Sequence, residues 1–296
     1  MSILFYFLAV VFGVGQSAAA KGYHRHGGSG AAFNVIKAGT ALLLFAVVLL
    51  VTGFSFSPAG IGFGIAYGLF MALSMYSGYL ALCFGPMALS GLLVSFSVVL
   101  PIGYAALFCG EGLRPLQIPG LFCFAVAMFF ASGIGKKTAG AGQAAPADQK
   151  KNRGKWVLAV AVTFTANGTC SILQKEYGLR GGSARPGEFM FFAMLICFAV
   201  FLPAALLRRF FGKREEKLSR VGAALACTAG LSNACTNYAT TALSGTESAA
   251  FLFPAVSVGT ILLSLLTARL LFGEKIRPRH LLAFLFGAAA VFLLRF

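Results

Sequence analysis

A chain of 296 residues with 58% hydrophobic content, 11% charged residues and a mean hydropathy of +0.85 cannot present an ordinary soluble surface, since soluble proteins carry roughly a quarter charged residues. Its formal net charge of +16 would point a soluble protein toward nucleic acid. Here the longest plausible soluble segment, around Gly135 to Lys155, is too short for a recognition module, so nucleic acid is excluded as a partner and the basicity reads as attraction to the negative side of a membrane.

In chain order, Met1 to Ala20 is apolar and ends in Ala18-Ala19-Ala20, which resembles a signal cleavage site. A secretory signal carries cations before its apolar run; here the first cation, Lys21, follows it, so this segment is read as a retained first helix. Between Lys37 and Glu111 lie 73 residues without Asp, Glu, Lys, Arg or His, room for three spans of about 20 residues each. The first five predicted spans are Ser2 to Ala20, Phe33 to Thr52, Ala59 to Phe84, Met87 to Cys109 and Leu116 to Ile134. Continuous apolar runs favour helices, because barrel strands alternate over about ten residues. Gly60, Gly64 and Gly68 recur every fourth residue and predict a smooth helix-packing stripe. Pro101 and Pro254 lie inside apolar runs and predict kinks, since proline removes a backbone donor.

A Gly-, Ala- and Lys-rich stretch over 135–155 predicts a flexible basic linker. Beyond it, five further spans are predicted: Trp156 to Leu173, Phe189 to Leu207, Val221 to Leu243, Ser248 to Phe272 and Leu281 to Leu294. The chain thus divides into 1–134, a linker 135–155, and 156–296. Two landmarks recur in order across these halves. Gly110-Glu111-Gly112-Leu113-Arg114-Pro115 matches Gly273-Glu274-Lys275-Ile276-Arg277-Pro278 at an offset of 163, and Lys21-Gly22-Tyr23 echoes Lys175-Glu176-Tyr177. Five is odd, so the second half enters the membrane with opposite orientation. The expected fold is all-α and integral to the membrane, with ten transmembrane helices as two inverted five-helix repeats, a plan associated with carriers. Assigning the 24 Lys and Arg to alternate sides, with Lys37 grouped with the loop after the first helix, places 19 on one side and 5 on the other. The positive-inside tendency then puts both termini outside.

With these residues in view, the chain resembles the drug/metabolite transporter superfamily, in particular its EamA-like ten-helix members. The carrying features are the two Gly-Glu-x-(Leu/Ile)-Arg-Pro turns at Gly110 and Gly273, each before a Gly-containing final helix, and the duplicated plan. The resemblance covers essentially the whole chain and implies transport of small organic solutes, often export, through a cavity between the halves. In one respect the chain departs from it. Small multidrug-resistance relatives use a carboxylate in the first helix, whereas the eight acids here (Glu111, Asp148, Glu176, Glu188, Glu215, Glu216, Glu247 and Glu274) all fall in loops or near helix ends. Intramembrane carboxylates are kept mainly for function, so their absence argues against simple carboxylate-driven proton antiport.

Candidate cavity residues are polar or aromatic groups within otherwise apolar spans: Gln16, Tyr76, Tyr79, Asn167, Ser171, Asn233, Asn237 and Tyr238. They come from the first and third helices of each half. Two readings stand for them, solute contact and interhelical hydrogen bonding, since polar groups in lipid need partners either way. Asn233 and Asn237, four apart, share a helix face. Glu111 and Glu274 each precede a proline, Pro115 and Pro278, by four residues. This predicts a structural turn in which the carboxylate meets the positive N-terminus of the next helix and proline takes the first helical position.

The seven cysteines lack C-x-x-C spacing, and His24 and His26 flank Arg25 without nearby acids, so no metal site, cofactor or redox compartment is indicated. No intramembrane base or carboxylate pair supports catalysis, so the chain is read as a non-enzyme. The expected function is secondary transport, in the export direction, of a small organic metabolite or drug-like solute by alternating access. The expected location is the inner (plasma) membrane, as monomer or homodimer, with the lipid bilayer and the solute as partners. The alternative is a noncatalytic membrane scaffold or a lipid- or partner-binding protein.

Overall fold

A computed structural model describes residues 2–26, 29–55, 57–84, 90, 93–132, 146–180, 182, 185–210, 218–272 and 278–296. These are overwhelmingly helical: α1 Ser2–His26, α2 Gly30–Thr52, α3 Pro58–Phe84, α4 Val99–Phe108, α5 Gln117–Ser132, α6 Pro146–Leu179, α7 Pro186–Phe210, α8 Arg220–Ser244, α9 Ala249–Phe272 and α10 Pro278–Arg295. Seven of them, α1, α2, α3, α6, α7, α9 and α10, are long and apolar enough to cross a membrane. Each exceeds the roughly 17 residues a span requires. The protein is therefore a multi-pass, all-helical membrane protein. The remaining three lie outside that set for two reasons. The apolar stretches containing α4 and α5 are shorter, Leu93–Phe108 and Gln117–Ala131. The 25-residue α8 is diluted by Ser232, Asn233, Thr236, Asn237, Thr240, Thr241 and Ser244. Helix α6 begins at Pro146, ten residues before the start predicted at Trp156, while 135–145 of the predicted linker lies outside the described residues.

The helices gather into two compact units. The first comprises Met1–Ala72, Leu173–Glu247 and Gly259–Glu274; the second comprises Leu73–Ile172, Ser248–Val258 and Lys275–Phe296. Each takes segments from both sides of 135–155.

In the first unit, α1 packs on α8, and α2 on both α7 and α8. Small residues make the close approaches. A Cβ added at Gly64 would sit 2.7 Å from the Phe189 carbonyl oxygen, and one at Gly68 would sit 2.6 Å from that of Ala193. The glycine stripe of α3 therefore seats directly on the α7 backbone, the packing its spacing predicts. Gly230 of α8 does the same against α2, its added Cβ falling 2.6 Å from the Lys37 carbonyl oxygen. At the ends of α1 and α6, two buried tyrosines anchor the loops that follow. Tyr23 Oη donates to the Ser29 carbonyl and Tyr177 Oη to the Arg185 carbonyl, each at 3.0 Å. Tyr177 also stacks on Phe189, centroids 4.7 Å apart. Lys175, 1% exposed, donates from Nζ to the Glu247 carbonyl at 2.8 Å.

In the second unit, α5 packs on α10, and Gln117 Nε2 donates to the Leu294 carbonyl at 3.3 Å. The helical run before α4 tightens into a 3-10 turn over Phe96–Val98. That turn lies one turn before Pro101, where proline leaves a carbonyl without its helical donor, so a local distortion follows as the sequence predicts. Helix α9 continues through Pro254.

Candidate functional site

The eight cavity candidates divide between the units: Gln16, Asn233, Asn237 and Tyr238 fall in the first, and Tyr76, Tyr79, Asn167 and Ser171 in the second.

In the first unit the one-turn spacing of Asn233 and Asn237 on α8 builds a polar ladder. Asn237 Nδ2 donates to the Asn233 carbonyl oxygen at 2.9 Å and to its Oδ1 at 3.2 Å. Its own Oδ1 accepts from Tyr67 Oη of α3 at 2.9 Å. Asn233, buried, points its amide at Met194 Sδ of α7, 3.9 Å away. The ladder thus joins α3, α8 and α7, the interhelical role that satisfies amides away from water. Gln16 is half-buried on α1, which Thr236 Oγ1 joins to α8 by donating to the Ala9 carbonyl at 3.3 Å.

Tyr238 stacks on Phe45 of α2, centroids 6.5 Å apart and planes inclined 21°. With Val48, Leu49, Thr52, Gly53, Arg185, Pro186, Gly187 and Glu188 it lines a pocket of about 60 Å³. This holds a few waters and falls well below the roughly 300–1,000 Å³ of an organic-ligand site. Glu188, 3% exposed, is engaged there by the Ser55 hydroxyl and the Ser57 backbone N–H, both donating to its carboxylate. That binds the loop before α3 to the first turn of α7.

In the second unit, Asn167 Nδ2 donates to Ser97 Oγ at 2.7 Å, and Ser171 Oγ approaches the Asn167 carbonyl at 3.5 Å. Thr163 Oγ1 donates to Ser77 Oγ at 2.8 Å, and Trp156 Nε1 to Ser90 Oγ at 2.9 Å. Tyr76 and Tyr79 stand 53% and 48% exposed, the most accessible of the eight candidates.

The turn at Gly110 is built as expected in kind but not in target. Gly110 takes φ of 69°, a left-handed conformation glycine adopts without a Cβ clash. Glu111 Oε2 instead accepts from the Ala249 N–H at 2.8 Å, the first residue of α9 and part of the other half. The unpaired N–H groups and positive dipole of a helix start explain the attraction; tertiary proximity selects which start. Pro115 lies in the turn two residues before α5, whereas Pro278 is the first residue of α10. Glu274 lies outside the described residues. Replacing Glu111 by Ala removes the cap, worth about 1 kcal/mol, and is expected to lower the melting temperature by roughly 2–4 °C. An unchanged melt would show that the bond contributes nothing.

Lys37 is a residue the sequence reading passed over. Grouped with the first loop in the charge count, it lies instead in the eighth position of α2, on the stripe Lys37, Ala38, Ala41, Phe45 and Leu49 that this helix buries. The signal was present in the sequence, as the lone charge in the second predicted span. Among the described residues, no three or more His, Cys, Asp or Glu gather to ligate a metal.

No family model matches the sequence, and no curated protein matches it. A crystal structure of a protein 17% identical to this chain superposes with a TM-score of 0.76, covering 99% of this chain and 95% of the other. The two share a fold. At that identity the likeness speaks to architecture alone.

Proposed function

We propose that the chain is a secondary carrier of a small organic solute, an EamA-like member of the drug/metabolite transporter superfamily with ten spans in two inverted five-helix repeats. The observation that carries this reading is an exchange of packing between the halves. The third helix of the first half, α3, seats Gly68 on Ala193 in the second helix of the other half, α7; the third helix of the second half, α8, seats Gly230 on Lys37 of α2. Gly68 and Gly230 stand almost the same distance apart in sequence as the two Gly-Glu turns. Reciprocal contacts of this kind are what a pseudo-twofold relation between repeats produces. The paired loop anchors Tyr23 and Tyr177 support it further.

In this reading the solute is exported across the inner membrane by alternating access, through unequal affinity of inward- and outward-open states and without covalent chemistry. The polar ladder through Tyr67, Asn237 and Asn233 then joins the moving elements rather than the solute. The experiment is counterflow in proteoliposomes preloaded with pooled small metabolites. Solute-dependent accumulation of label is expected. Absence of any such flux with correctly folded protein defeats the carrier and leaves the noncatalytic scaffold as the better account.

A further inference from the structure

Two lysines are almost fully buried among the described residues, and they differ in one respect. Lys175 has a hydrogen-bond partner, the Glu247 carbonyl. Lys37, 7% exposed, makes no hydrogen bond or ion pair with any described residue.

Its placement rules out an ordinary surface lysine. It lies on the buried stripe of α2, which packs against α7 and α8. Its backbone is pressed against Gly230 of α8, and Thr40, one turn on, faces the same glycine. Two residues beyond Lys37, Gly39 meets Phe198 of α7, and the Cys197 thiol is the one described ionisable group in electrostatic contact with the ammonium. Glu176 pairs with Arg180 at 3.1 Å and Glu188 accepts from Ser55 and Ser57, and no described carboxylate is in electrostatic contact with Lys37. A charge on a buried helix stripe without a protein partner is unfavourable. The ammonium nitrogen is not among the fully enclosed polar atoms that lack a partner, so it borders solvent-sized space, and an ionisable group facing the interior of a membrane bundle is retained for what it binds or moves.

We propose that Lys37 is the anion-binding group of the solute site, and that the solute carries a single carboxylate. The proposal rests on the carrier reading. One ammonium balances one charge; a phosphate group, near two negative charges at neutral pH, would leave one uncompensated in an apolar bundle. A net monoanion also fits better than a zwitterion, because no described carboxylate stands beside Lys37 to receive a second cation.

The test is thermal melting of the purified full-length protein with acetate, pyruvate, butyrate or benzoate, each against its neutral amide, with inorganic phosphate as a further arm at matched ionic strength. At least one monocarboxylate is expected to raise the melting temperature by about 2 °C or more through preferential binding to the folded state, while its amide does not. Lys37→Met and Lys37→Gln are expected to lose that response at least about tenfold. Lys37→Met is expected to melt no lower than the unmodified protein, because it removes an unpaired charge and keeps the volume. A response that persists in either folded variant overturns the proposal. So does a wild type stabilised by phosphate and by no monocarboxylate, or by neither. Failure of both variants to fold overturns it as well, because Lys37 would then be structural. Lys37-dependent binding without counterflow of any solute would remove the carrier reading and leave the site standing. Counterflow unaffected by Lys37→Gln would do the reverse.

Discussion

Replacing Gly68 with leucine is expected to eliminate folded protein, and replacing it with alanine to lower the melting temperature substantially. A Cβ at this position would lie 2.6 Å from the Ala193 carbonyl oxygen and 2.8 Å from Ile196 Cβ. Neither atom can swing aside as the end of a long side chain could, so α3 and α7 must separate. Separation loosens the Gly64 contact one turn away, where an added Cβ would stand 2.7 Å from the Phe189 carbonyl. It also stretches the bond from Cys197 Sγ to the Gly68 carbonyl, 3.3 Å long. Overpacking by even one methyl group typically costs about 1–3 kcal/mol, and leucine adds three more carbons at a site with no room. Gly62 supplies the control. An added Cβ there meets nothing within 4 Å, so Gly62→Ala on the same helix is expected to be neutral or slightly stabilising, since alanine is the better helix former by about 1 kcal/mol. Size-exclusion profiles and melting curves of the three variants decide it. A monodisperse Gly68→Leu protein with wild-type stability would mean that α3 and α7 do not meet as described.

Glu188→Leu is expected to be the second most damaging single change, at about 2 kcal/mol. The carboxylate is buried and accepts from the Ser55 hydroxyl and the Ser57 N–H. Removing it strands the half-buried Ser57 N–H, at about 1–3 kcal/mol, while the exposed Ser55 hydroxyl can turn to water. Ser57 in turn accepts from the Gly60 N–H at 2.9 Å, so the first turn of α3 loses order along with the loop before it. Glu188→Gln is expected to be much milder. Its amide oxygen still accepts from Ser57, and its NH₂ can donate to the Ser55 oxygen, so the charge assistance is lost but not the bonding pattern. The ranking of melting temperatures should be wild type, then Gln, then Leu. Equal melts for Gln and Leu would show that hydrogen bonding at this site contributes no stability.

Much of this architecture was open to inspection in the residues alone, for a simple reason. Lipid imposes long apolar stretches that need no knowledge of neighbours to recognise, and 73 residues without a charge admit no other solvent. The glycine stripe was legible on the same basis, because a repeat of four makes one smooth face whatever packs on it. Polar α8 shows the limit of that reasoning. Its Ser, Thr and Asn side chains lower its hydropathy below that of its neighbours, and only the contacts of Asn237 with Tyr67 and Asn233 explain how such a helix is accommodated.

Chemical type and position along a helix were therefore settled by sequence: which segments are apolar, which carboxylate seeks a helix start, which amides share a face. Partner choice was settled only in three dimensions. Glu111 caps α9 rather than the adjacent α5, Asn233 and Asn237 bond across to α7 and α3, and Lys37 turns inward among α7 and α8 instead of out toward a headgroup. The physical reason is range. Propensity and hydropathy act over one or two turns of chain, whereas hydrogen bonding and charge burial are decided by groups more than a hundred residues away that packing brings within 3 or 4 Å.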